Sequence, residues 1–568
     1  MSTNECARND EENGGLSAYD PLTQQLLVRR GIATAKDAER FLNPSYDDHL
    51  HDPFLLTDME KAVARILHSI ANDERIAIYS DYDCDGIPGG VLLHDFFTAI
   101  GYTNFENYIP HRHTEGYGFN EASVPSFAEK GTKLIITVDC GITDIAAVAR
   151  AQKEGIDVIV TDHHEPGEIL PPAYAILNPK RDTAYPFQGI CGAAVAYKLV
   201  QALLIRGKES GAITLGEGQE KWWLDLVGLA TVADMVPLVD EGRVFARYGL
   251  QVLRKSRRPG IQHLLRKAGS NQQYLTEDDI GFTIAPRINA ASRMDDPEDA
   301  FHMLRTKDEG EASAHVLHLE KLNNERKGVV ASMVKEAKKR ILQHENVPPI
   351  IVMGNPEWRP SLVGLVANSL ADEFTRPAFL WGRDGNGAIK GSCRSDGVTS
   401  VVHIMEHARD TFVTFGGHHA SGGFSVSHEN VHALADVLSS VYEKIKDASL
   451  IPEDRSSIDA TLSLDDVDEK LMRTLDQFAP FGVGNHKPLF EFRDVVPIEV
   501  NVFGKAHNHT KLRLMTKQGI RDAIAFFRLP DNFAVVPVKG KPHTLLAHVE
   551  RSYFMGRSEI RLRVVDIV

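Results

Sequence analysis

Three short apolar runs in the first 165 residues each end abruptly in carboxylates or imidazoles. Ile and Val are frequent in these runs, which cover residues 75–79, 133–138 and 157–161. Continuous runs of this kind are typical of strands buried on both faces of a sheet, and the helical stretches between them favour parallel strands. The carboxyl ends of parallel strands meet at one edge, where open α/β sheets bind ligands. We therefore expect the polar groups that follow the runs to converge.

The remaining pattern predicts a helical beginning, two α/β regions joined by a long helix, and a strand-rich end. Residues 1–15 resemble a polar tail, and residues 58–71 form an amphipathic helix at the end of the helical lead-in. Between 308 and 346 apolar residues recur at a rough 3.6-residue period without proline, which predicts one or two long helices. From residue 456 the chain is strand-rich and interrupted by Gly, Pro and Asn, which favours a small β-barrel. The prediction is an α/β protein with a parallel sheet and five parts, at residues 1–75, 76–305, 306–347, 348–450 and 456–568.

Composition narrows the class of protein. The 568-residue chain has a net charge of −15 and is 43% hydrophobic, with no apolar run as long as the ~20 residues of a membrane span and no signal-peptide shape. Its five cysteines are scattered without a CxxC pair, which favours the reducing cytoplasm and argues against a zinc ribbon. Residues 487–568 nevertheless carry 14 Lys or Arg against 8 Asp or Glu. A basic end on an acidic body favours a phosphate-containing polymer as partner.

The first apolar run leads into an acidic loop with carboxylates at Asp81, Asp83 and Asp85. An EF-hand would need Glu at the twelfth position, which is Leu92, and a solvated surface turn is the other simple interpretation. The two later runs, however, end in similar groups, namely Asp139, Asp162, His163 and His164. So many acidic groups at one sheet edge would repel one another unless a cation neutralised them. The pattern therefore favours a metal site.

A further carboxylate, Asp234, lies in the apolar, strand-like or helical run 226–237. It could cap a helix N-terminus. A buried Asp is costly unless it is paired or bound to metal, so its presence in the same region favours a metal ligand.

Several basic and aromatic residues are candidates for contact with nucleic acid. Arg112 offers a fork for phosphate and Tyr117 a stacking face, although an ordinary loop would also explain them. Two arginines in the apolar context of residues 286–293 favour anion binding over solvated charge. Glycine-rich segments around Arg394 and His418 allow close backbone approach to a phosphate, which alone is weak evidence.

Taken together, these segments resemble the DHH phosphoesterase superfamily and, within it, the RecJ exonucleases. The superfamily signature is spelled by Asp162-His163-His164. The RecJ-like segments are DYDCDG, IPHRHTEGYG, VDCG, ATVADMVPL, APRINAASRM and GGHHASGG. HDPFLLTDMEKAVARI before the first motif and FAPFGVGNHKPLF near the end are also similar, so the resemblance covers nearly the whole chain.

The resemblance implies a DHH domain, a long connecting helix, a DHHA1 domain and a C-terminal OB-fold around a cleft that threads one strand. The implied activity is 5′→3′ hydrolysis of single-stranded DNA to mononucleotides, with two divalent ions, Mn²⁺ or Mg²⁺, in DNA repair and recombination. The implied partner is single-stranded DNA, with a helicase or a single-strand-binding protein as further candidates. The chain is expected to be a cytoplasmic monomer with no membrane association.

The resemblance also implies roles for individual residues. Metal ligands are expected at Asp83, Asp85, Asp139, His163 and Asp234, with Asp139 as the bridge. Among the catalytic candidates, His164 is expected to contact the scissile phosphate, Asp162 to orient its neighbours, and Asp81 to act either as a ligand or behind the ligands. Nucleic-acid contacts are expected at Arg112, Tyr117, Asn289, Arg293, Arg394 and His418.

Some positions depart from the family pattern. Tyr79 stands where small-molecule DHH phosphoesterases place a metal-binding His, which favours RecJ-like proteins. Ser292 and Ser361 each replace a usual Gly, and Arg359 replaces a usual His, so the positioning of substrate is less certain than the metal site.

Three alternatives remain open at this point. A DHH phosphodiesterase for short oligonucleotides or cyclic dinucleotides is disfavoured by Tyr79 and by the additional C-terminal domain. A catalytically silent replication scaffold is disfavoured because all motif carboxylates are present. RNA as the substrate is compatible with the sequence, since no residue reports on the 2′-hydroxyl.

Overall fold

The computed structural model describes residues 15–181, 184–343, 346–446, 458–504, 506–554 and 557–568, and the predicted tail at 1–15 lies almost wholly outside them. The helices are α1 Pro21–Arg29, α2 Ala35–Leu42, α3 Tyr46–His49, α4 Met59–Ala71, α5 Gly86–Ala99, α6 Val124–Glu129, α7 Ile145–Lys153, α8 Gly192–Ser210, α9 Leu224–Ala233, α10 Asp240–Leu253, α11 Pro259–Ala268, α12 Ala285–Met294, α13 Glu298–Arg305, α14 Glu309–Ile341, α15 Pro360–Phe374, α16 Val401–His407, α17 Leu434–Ile445 and α18 Glu469–Phe478. The strands are β1 Ile76–Ser80, β2 Phe105–Tyr108, β3 Leu134–Val138, β4 Asp157–Thr161, β5 Ala175–Leu177, β6 Ile351–Gly354, β7 Ala378–Arg383, β8 Ile389–Arg394, β9 Phe412–Gly417, β10 Ser421–Val426, β11 Ala460–Thr461, β12 Phe490–Val495, β13 Pro497–Phe503, β14 His509–Thr516, β15 Gly519–Ala525, β16 His543–Phe554 and β17 Arg557–Ile567.

The first sheet is parallel and has five strands in the order β2-β1-β3-β4-β5. Its central strands are buried on both faces, as their uninterrupted Ile and Val runs predict. Apolar clusters cover the two faces, one of them containing Ile78 and Ile136 and the other Ala77 and Ile135. The prediction of parallel strands with a common carboxyl edge is confirmed.

One helix, α14, connects this region to the second sheet. It is 33 residues long, and the side chain of Asp308 caps its first turn by accepting the N–H of Glu311. Lys338, Lys339 and Arg340 lie in its last turn, where cations favour the helix dipole.

The second sheet is mixed, with the order β6-β7-β8-β10-β9. β6 is parallel to β7, and the other pairs are antiparallel. α15 packs against β7 and β8 and also contacts α14, which joins this unit to the connecting helix.

The third sheet has seven strands in the order β11-β12-β16-β17-β15-β14-β13. Its core also contains residues from the start of the chain: Leu26 and Leu27 of α1 and Phe41 of α2 lie in one apolar cluster with Phe478 and Phe490. The first helices and the last strands therefore form one folded unit, which nothing in the local pattern of residues 16–75 predicts.

None of the helices in the described ranges combines the length and the apolarity that crossing a bilayer requires.

Candidate metal centre

Three neighbouring strands deliver the acidic groups to the same level of the sheet. Ser80 of β1 pairs with Val138 of β3, which in turn pairs with Thr161 of β4. The next residues along the three strands are Asp81, Asp139 and Asp162. The parallel register therefore brings the predicted groups together at the carboxyl edge.

The backbone around Asp139 is shaped for close approach. Asp139 adopts a left-handed conformation with φ +62°, which Asp tolerates better than most residues. A Cβ on Gly192, the first residue of α8, would lie 2.6 Å from Cβ of Asp139. Only glycine allows the start of α8 to sit this close to the carboxylate.

The start of α8 also binds Asp85. Its Oδ2 accepts the N–H of Gly192 at 2.6 Å, and its Oδ1 accepts the N–H of Ala193 at 2.7 Å. These bonds and the positive end of the helix dipole hold the carboxylate in place. In the preceding turn, Oδ1 of Asp83 accepts the N–H groups of Asp85 and Gly86 at 2.8 and 3.2 Å.

His163 lies at the centre of the carboxylates. Its Nε2 is 3.2 Å from Oδ1 of Asp139 and 3.6 Å from Oδ2 of both Asp85 and Asp234. Three sets of potential ligand atoms each lie within 4.8 Å of one another: Asp139 with His163 and His164; Asp85 with His163 and Asp234; and Asp81 with Asp83 and Asp139. All five predicted metal ligands therefore converge, together with Asp81 and His164.

Asp234 reaches this cluster from a helix and not from a strand. It is the C-cap of α9, so a role as helix N-cap is wrong. Met235 follows in a left-handed conformation with φ +58°. The helix thus ends at the residue whose carboxylate faces His163.

The electrostatics of the cluster favour a bound cation. Burial, followed by the neighbouring carboxylates, raises the pKa of Asp139 and Asp81 far above the ordinary value. The same causes raise the pKa of Asp85 to about 6 and that of Asp234 to about 8. Burial lowers the pKa of His163 to about 3, which leaves its imidazole neutral and able to ligate.

Among the described residues, three buried atoms of the cluster find no hydrogen-bond partner: Oδ1 of Asp81, Oδ1 of Asp139 and Nε2 of His163. Buried polar atoms without partners are costly, and a divalent cation would satisfy all three. Mixed carboxylate and imidazole donors suit Mn²⁺ as well as Mg²⁺. The residues present therefore fit a divalent metal site.

Asp162 is saturated by hydrogen bonds from its surroundings. Its Oδ2 accepts the N–H of Ile142 at 2.9 Å, and its Oδ1 accepts the N–H groups of His163 and His164. Oδ1 also lies 2.8 Å from Nδ1 of His164, a hydrogen bond that, with the carboxylate charge, outweighs burial and raises the pKa of His164 to about 9. This arrangement suits an orienting role for Asp162 and a cationic His164. The hydroxyl of Tyr117 lies 3.4 Å from Nε2 of the same ring.

Tyr79, the first departure from the family pattern, points away from the cluster. It is fully buried, donates to the carbonyl of Gly118 at 3.1 Å and stacks against Tyr108. It therefore contributes to packing.

A cleft of about 1120 Å³ opens between the first and second sheets. Its lining includes Tyr82, Arg112, Tyr117, Arg359 and Ser361. The guanidinium of Arg112 lies 4.8 Å from the centre of the Tyr82 ring, a cation–π contact that orients it.

Arg293 is surrounded by other arginines. Burial, and then the charges of Arg112, Arg326 and Arg394, lower its pKa to about 9. Within the described ranges none of these four side chains forms an ion pair with a carboxylate. A group of arginines without carboxylate ion pairs can bind an anion such as phosphate. Arg326, on the connecting helix, was not predicted, because a single arginine on a long polar helix resembles a solvated residue.

The other residues predicted to contact nucleic acid are Asn289, Arg394 and His418, and each lies close to other groups of the protein. Oδ1 of Asn289 accepts the N–H of Cys84 at 2.9 Å, which connects α12 to the acidic loop at residues 81–85, the candidate metal-binding loop. Nη1 of Arg394 donates to Oγ of Ser392 at 2.9 Å and to the carbonyl of Cys393 at 2.7 Å. His418 lies in the turn between β9 and β10, and burial with the nearby charge of Lys180 lowers its pKa. Ser292 is fully buried.

Comparison with protein-family models gives three matches along the chain. Residues 75–231 match the DHH family N-terminal domain, residues 322–445 the DHHA1 domain, and residues 458–566 the RecJ OB domain. The matches follow the order of the three sheets.

Whole proteins and structures show the same likeness. The chain is 34% identical over 552 residues to the single-stranded-DNA-specific exonuclease RecJ of Bacillus subtilis, covering 96% of this chain and 68% of that protein. It is 31% identical to the protein of the same name from Escherichia coli, covering 99% and 98%. A crystal structure of RecJ from Thermus thermophilus in complex with Mn²⁺ superposes with a TM-score of 0.80 at 27% identity, covering 99% of this chain and 78% of that one.

Proposed function

Because the chain belongs to the RecJ family of single-stranded-DNA-specific exonucleases, we propose that it removes nucleotides one at a time from the 5′ end of single-stranded DNA by two-metal hydrolysis. The observation that carries this proposal is the convergence of five Asp and two His side chains beside a group of arginines that form no ion pair with a carboxylate within the described ranges. The first set suits a metal-dependent phosphodiesterase, and the second suits a terminal phosphate.

We propose that Asp83, Asp85, Asp139, His163 and Asp234 hold two Mn²⁺ or Mg²⁺ ions. Asp139 is the best candidate for a shared ligand, because it belongs both to the set with His163 and to the set with Asp81 and Asp83. Bound metal would supply water activation near neutral pH and stabilise negative charge on the reacting phosphate. For Asp81 we keep two roles: a direct metal ligand, or a residue that does not touch the metal and holds a ligand in position.

His164 is proposed to contact the scissile phosphate as a cation. Its raised pKa keeps it protonated at neutral pH, and Asp162 fixes the ring through Nδ1. The Tyr117 hydroxyl lies 3.2 Å from Nδ1 and 3.4 Å from Nε2 of this ring. A charge-assisted hydrogen bond to phosphate is stronger than a neutral one. Asp162 is proposed to act through its neighbours, since both of its carboxylate oxygens accept hydrogen bonds from backbone N–H groups.

The arginines are proposed to bind the 5′ end of the strand. Arg112 and Arg293 approach the cleft from the first region, Arg326 from the connecting helix and Arg394 from the second sheet. A terminal phosphate carries more charge than an internal one and therefore gains most from several cations. A terminal phosphate bound by these arginines would place the adjacent phosphodiester near the metals. Hydrolysis would then start at the 5′ end.

Single-strand preference is proposed to come from the cleft and from the third sheet. Phe526 and Phe527 are exposed, and His509 lies against both rings. Together with the basic excess of residues 487–568 they suit base stacking and backbone contact. Tyr553 stacks on Tyr274 instead, and the side chain of Phe554 lies outside the described part of the chain.

We propose DNA, and not RNA, as the substrate, because the relatives in this family are single-stranded-DNA-specific exonucleases.

The four described cysteines are free and buried, which fits the proposed cytoplasmic setting. We propose action as a monomer, with a helicase or a single-strand-binding protein as candidate partners in repair and recombination.

The proposal is tested by comparing hydrolysis of a long single strand, the same strand as a blunt duplex, and a dinucleotide, each with Mn²⁺. We expect rapid loss of the long single strand and slow loss of the duplex. Faster turnover of the dinucleotide would favour the short-oligonucleotide alternative, and no turnover of any substrate would favour a silent scaffold.

A further inference from the structure

A helical rod passes the candidate metal centre and carries one stripe of side chains along it. The rod consists of the turn Glu277–Asp279, the π-turn Ile280–Ile284 and α12. Its stripe consists of Pro286, Asn289 and Arg293, which spacings of three and four residues place on one face of α12, and of Phe282, which lies four residues before Pro286 in the π-turn.

Two contacts show where this face points. Asn289 accepts the N–H of Cys84, which lies between the metal-ligand candidates Asp83 and Asp85. Arg293, one turn later, donates from Nη1 to the carbonyl of Ser361 at 2.8 Å, across the cleft. The part of the stripe on α12 therefore runs from the acidic loop at residues 81–85 to Ser361, which lines the cleft.

The other end of the rod reaches the third sheet. Oδ2 of Asp278 lies 3.0 Å from Nζ of Lys487 and 3.8 Å from Nη1 of Arg563. One continuous element thus leads from the arginine group, past the metal-binding loop, to the C-terminal sheet. A single DNA strand that binds at both the arginine group and the C-terminal sheet would run alongside this rod.

Phe282 is the unexplained member of the stripe. Its side chain is 74% exposed, and a Cβ on the adjacent Gly281 would meet no atom within 4 Å, so the ring borders open space. Ile280 and Ile284 of the same turn are buried, and the turn packs against α9, whose C-cap is Asp234. The sequence IGFTI thus buries its two isoleucines and leaves the aromatic ring outside.

The local backbone produces this exposure. The N–H of Ala285 donates to the carbonyl of Ile280, five residues back, in place of the α-helical four. Such π-turns are frequent at functional sites. A large aromatic ring held in open space has lost the benefit of burial, which a nucleobase could restore.

We propose that Phe282 is a stacking platform for a base of the substrate strand between the metal centre and the third sheet. This inference rests on the proposed single-strand exonuclease function and deepens it. Phe282 lies eleven residues from Arg293, about 16 Å at 1.5 Å per residue. With the terminal phosphate at the arginines, the platform meets a base no more than about five nucleotides from the 5′ end, at a rise of at least about 3.4 Å per nucleotide.

Photo-crosslinking on the unaltered chain tests this placement. Single strands with 5-iodouracil at successive positions from a phosphorylated 5′ end are irradiated with the protein in EDTA, and the crosslinked peptide is identified by mass spectrometry. We expect a crosslink to Phe282 confined to a narrow window of positions near the 5′ end. Efficient crosslinking at every position with none at Phe282 would overturn the inference.

Variants test the energetic role. Phe282→Ala is expected to weaken binding of long strands by roughly five- to a hundredfold, while Phe282→Trp retains it. Hydrolysis of a dinucleotide, too short to reach the platform, is expected to change little. The matched control is Leu342→Ala, since Leu342 is 71% exposed at the end of α14.

The outcomes separate the two claims. If the unaltered protein degrades single strands but Phe282→Ala binds them like Leu342→Ala, the stacking inference is wrong and the exonuclease proposal stands. If the unaltered protein neither binds nor degrades single strands, the exonuclease proposal fails and the inference fails with it.

Discussion

Arg293 and Ser361 hold each other across the cleft through two hydrogen bonds. Nη1 of Arg293 donates to the carbonyl of Ser361 at 2.8 Å, and Oγ of Ser361 donates to the carbonyl of Arg293 at 2.9 Å. Because Ser361 lies in the first turn of α15 and Arg293 in the last turn of α12, this pair sets the distance between the candidate metal centre and the opposite wall. The pair uses only one nitrogen of the guanidinium, and within the described ranges the other two donate no hydrogen bond, which leaves them for phosphate.

Replacing Arg293 or Arg112 with Ala should raise KM for single strands with little change in kcat. A charge-assisted hydrogen bond to phosphate contributes about 1.5–3 kcal/mol, which corresponds to roughly ten- to a hundredfold. The preference for a 5′-phosphorylated end should fall as well. Steady-state kinetics on strands with and without the phosphate measure both effects. Arg206→Ala, which removes an exposed arginine paired with Glu60, is the control, and an equal loss in that variant would contradict the assignment.

Asp139→Asn should abolish hydrolysis and yet stabilise the metal-free protein. In mildly alkaline EDTA, the substitution removes a charge buried among Asp85, Asp83 and Asp81, so the melting temperature should rise. The increase in melting temperature that Mn²⁺ gives the parent protein should disappear. Residual activity within about tenfold of the parent would exclude Asp139 as the shared ligand.

The metal-free protein should lose stability as the pH rises from 6.5 to about 9. The pKa of His164 is raised from 6.5 to about 9 and that of Asp234 from 3.8 to about 8, so the folded chain keeps protons in this range that the unfolded chain has released. Stability falls with pH wherever the folded state binds more protons. His163, with its lowered pKa, has the opposite effect only below 6.5. Thermal melts in EDTA across this range should show the decline, Asp234→Asn should flatten it, and a stability that rises with pH would contradict it.

The convergence of the candidate metal ligands was largely predictable because its signals are local. A buried strand followed directly by Asp fixes both the level and the direction of the group, and three parallel strands make the levels coincide. Asp234 was harder, since an apolar run around one carboxylate fits a helix or a strand. The structure resolves this: α9 ends there, and Met235 takes the left-handed conformation of a helix terminus.

Other features depend on partners that are distant in the sequence or on fine backbone geometry. The partner of α1 and α2 lies more than four hundred residues later, in the third sheet. Arg326 is a candidate for phosphate binding only because its charge acts on Arg293 together with that of Arg394, and these residues lie on other elements. Phe282 lies in an apolar segment that resembles core, and only the π-turn brings its ring outside.

Phe41→Ala should destabilise the unit formed by the two ends of the chain. The Phe41 ring lies 5.9 Å from the ring of Phe478, and the buried guanidinium of Arg243 lies 3.9 Å from its centre. Truncating a buried Phe costs about 3–5 kcal/mol. Urea unfolding should then show an earlier transition, and binding of long strands should suffer more than hydrolysis of short ones.

Val28→Ala is the matched control, because Val28 is half exposed on α1. Unfolding of Phe41→Ala in one transition at the parent's urea concentration would show that the first helices do not support the third sheet. The same dependence means that a fragment beginning near residue 458 should fold poorly unless residues 15–43 are supplied.

The most direct test of the central claim is a time course of product lengths from two copies of one single strand, labelled at the 5′ end or at the 3′ end, with Mn²⁺. We expect the 5′ label to appear at once as mononucleotide while the 3′-labelled strand shortens progressively, and we expect Asp139→Asn to give neither product. Immediate release of the 3′ label as mononucleotide, with gradual shortening of the 5′-labelled strand, would contradict it.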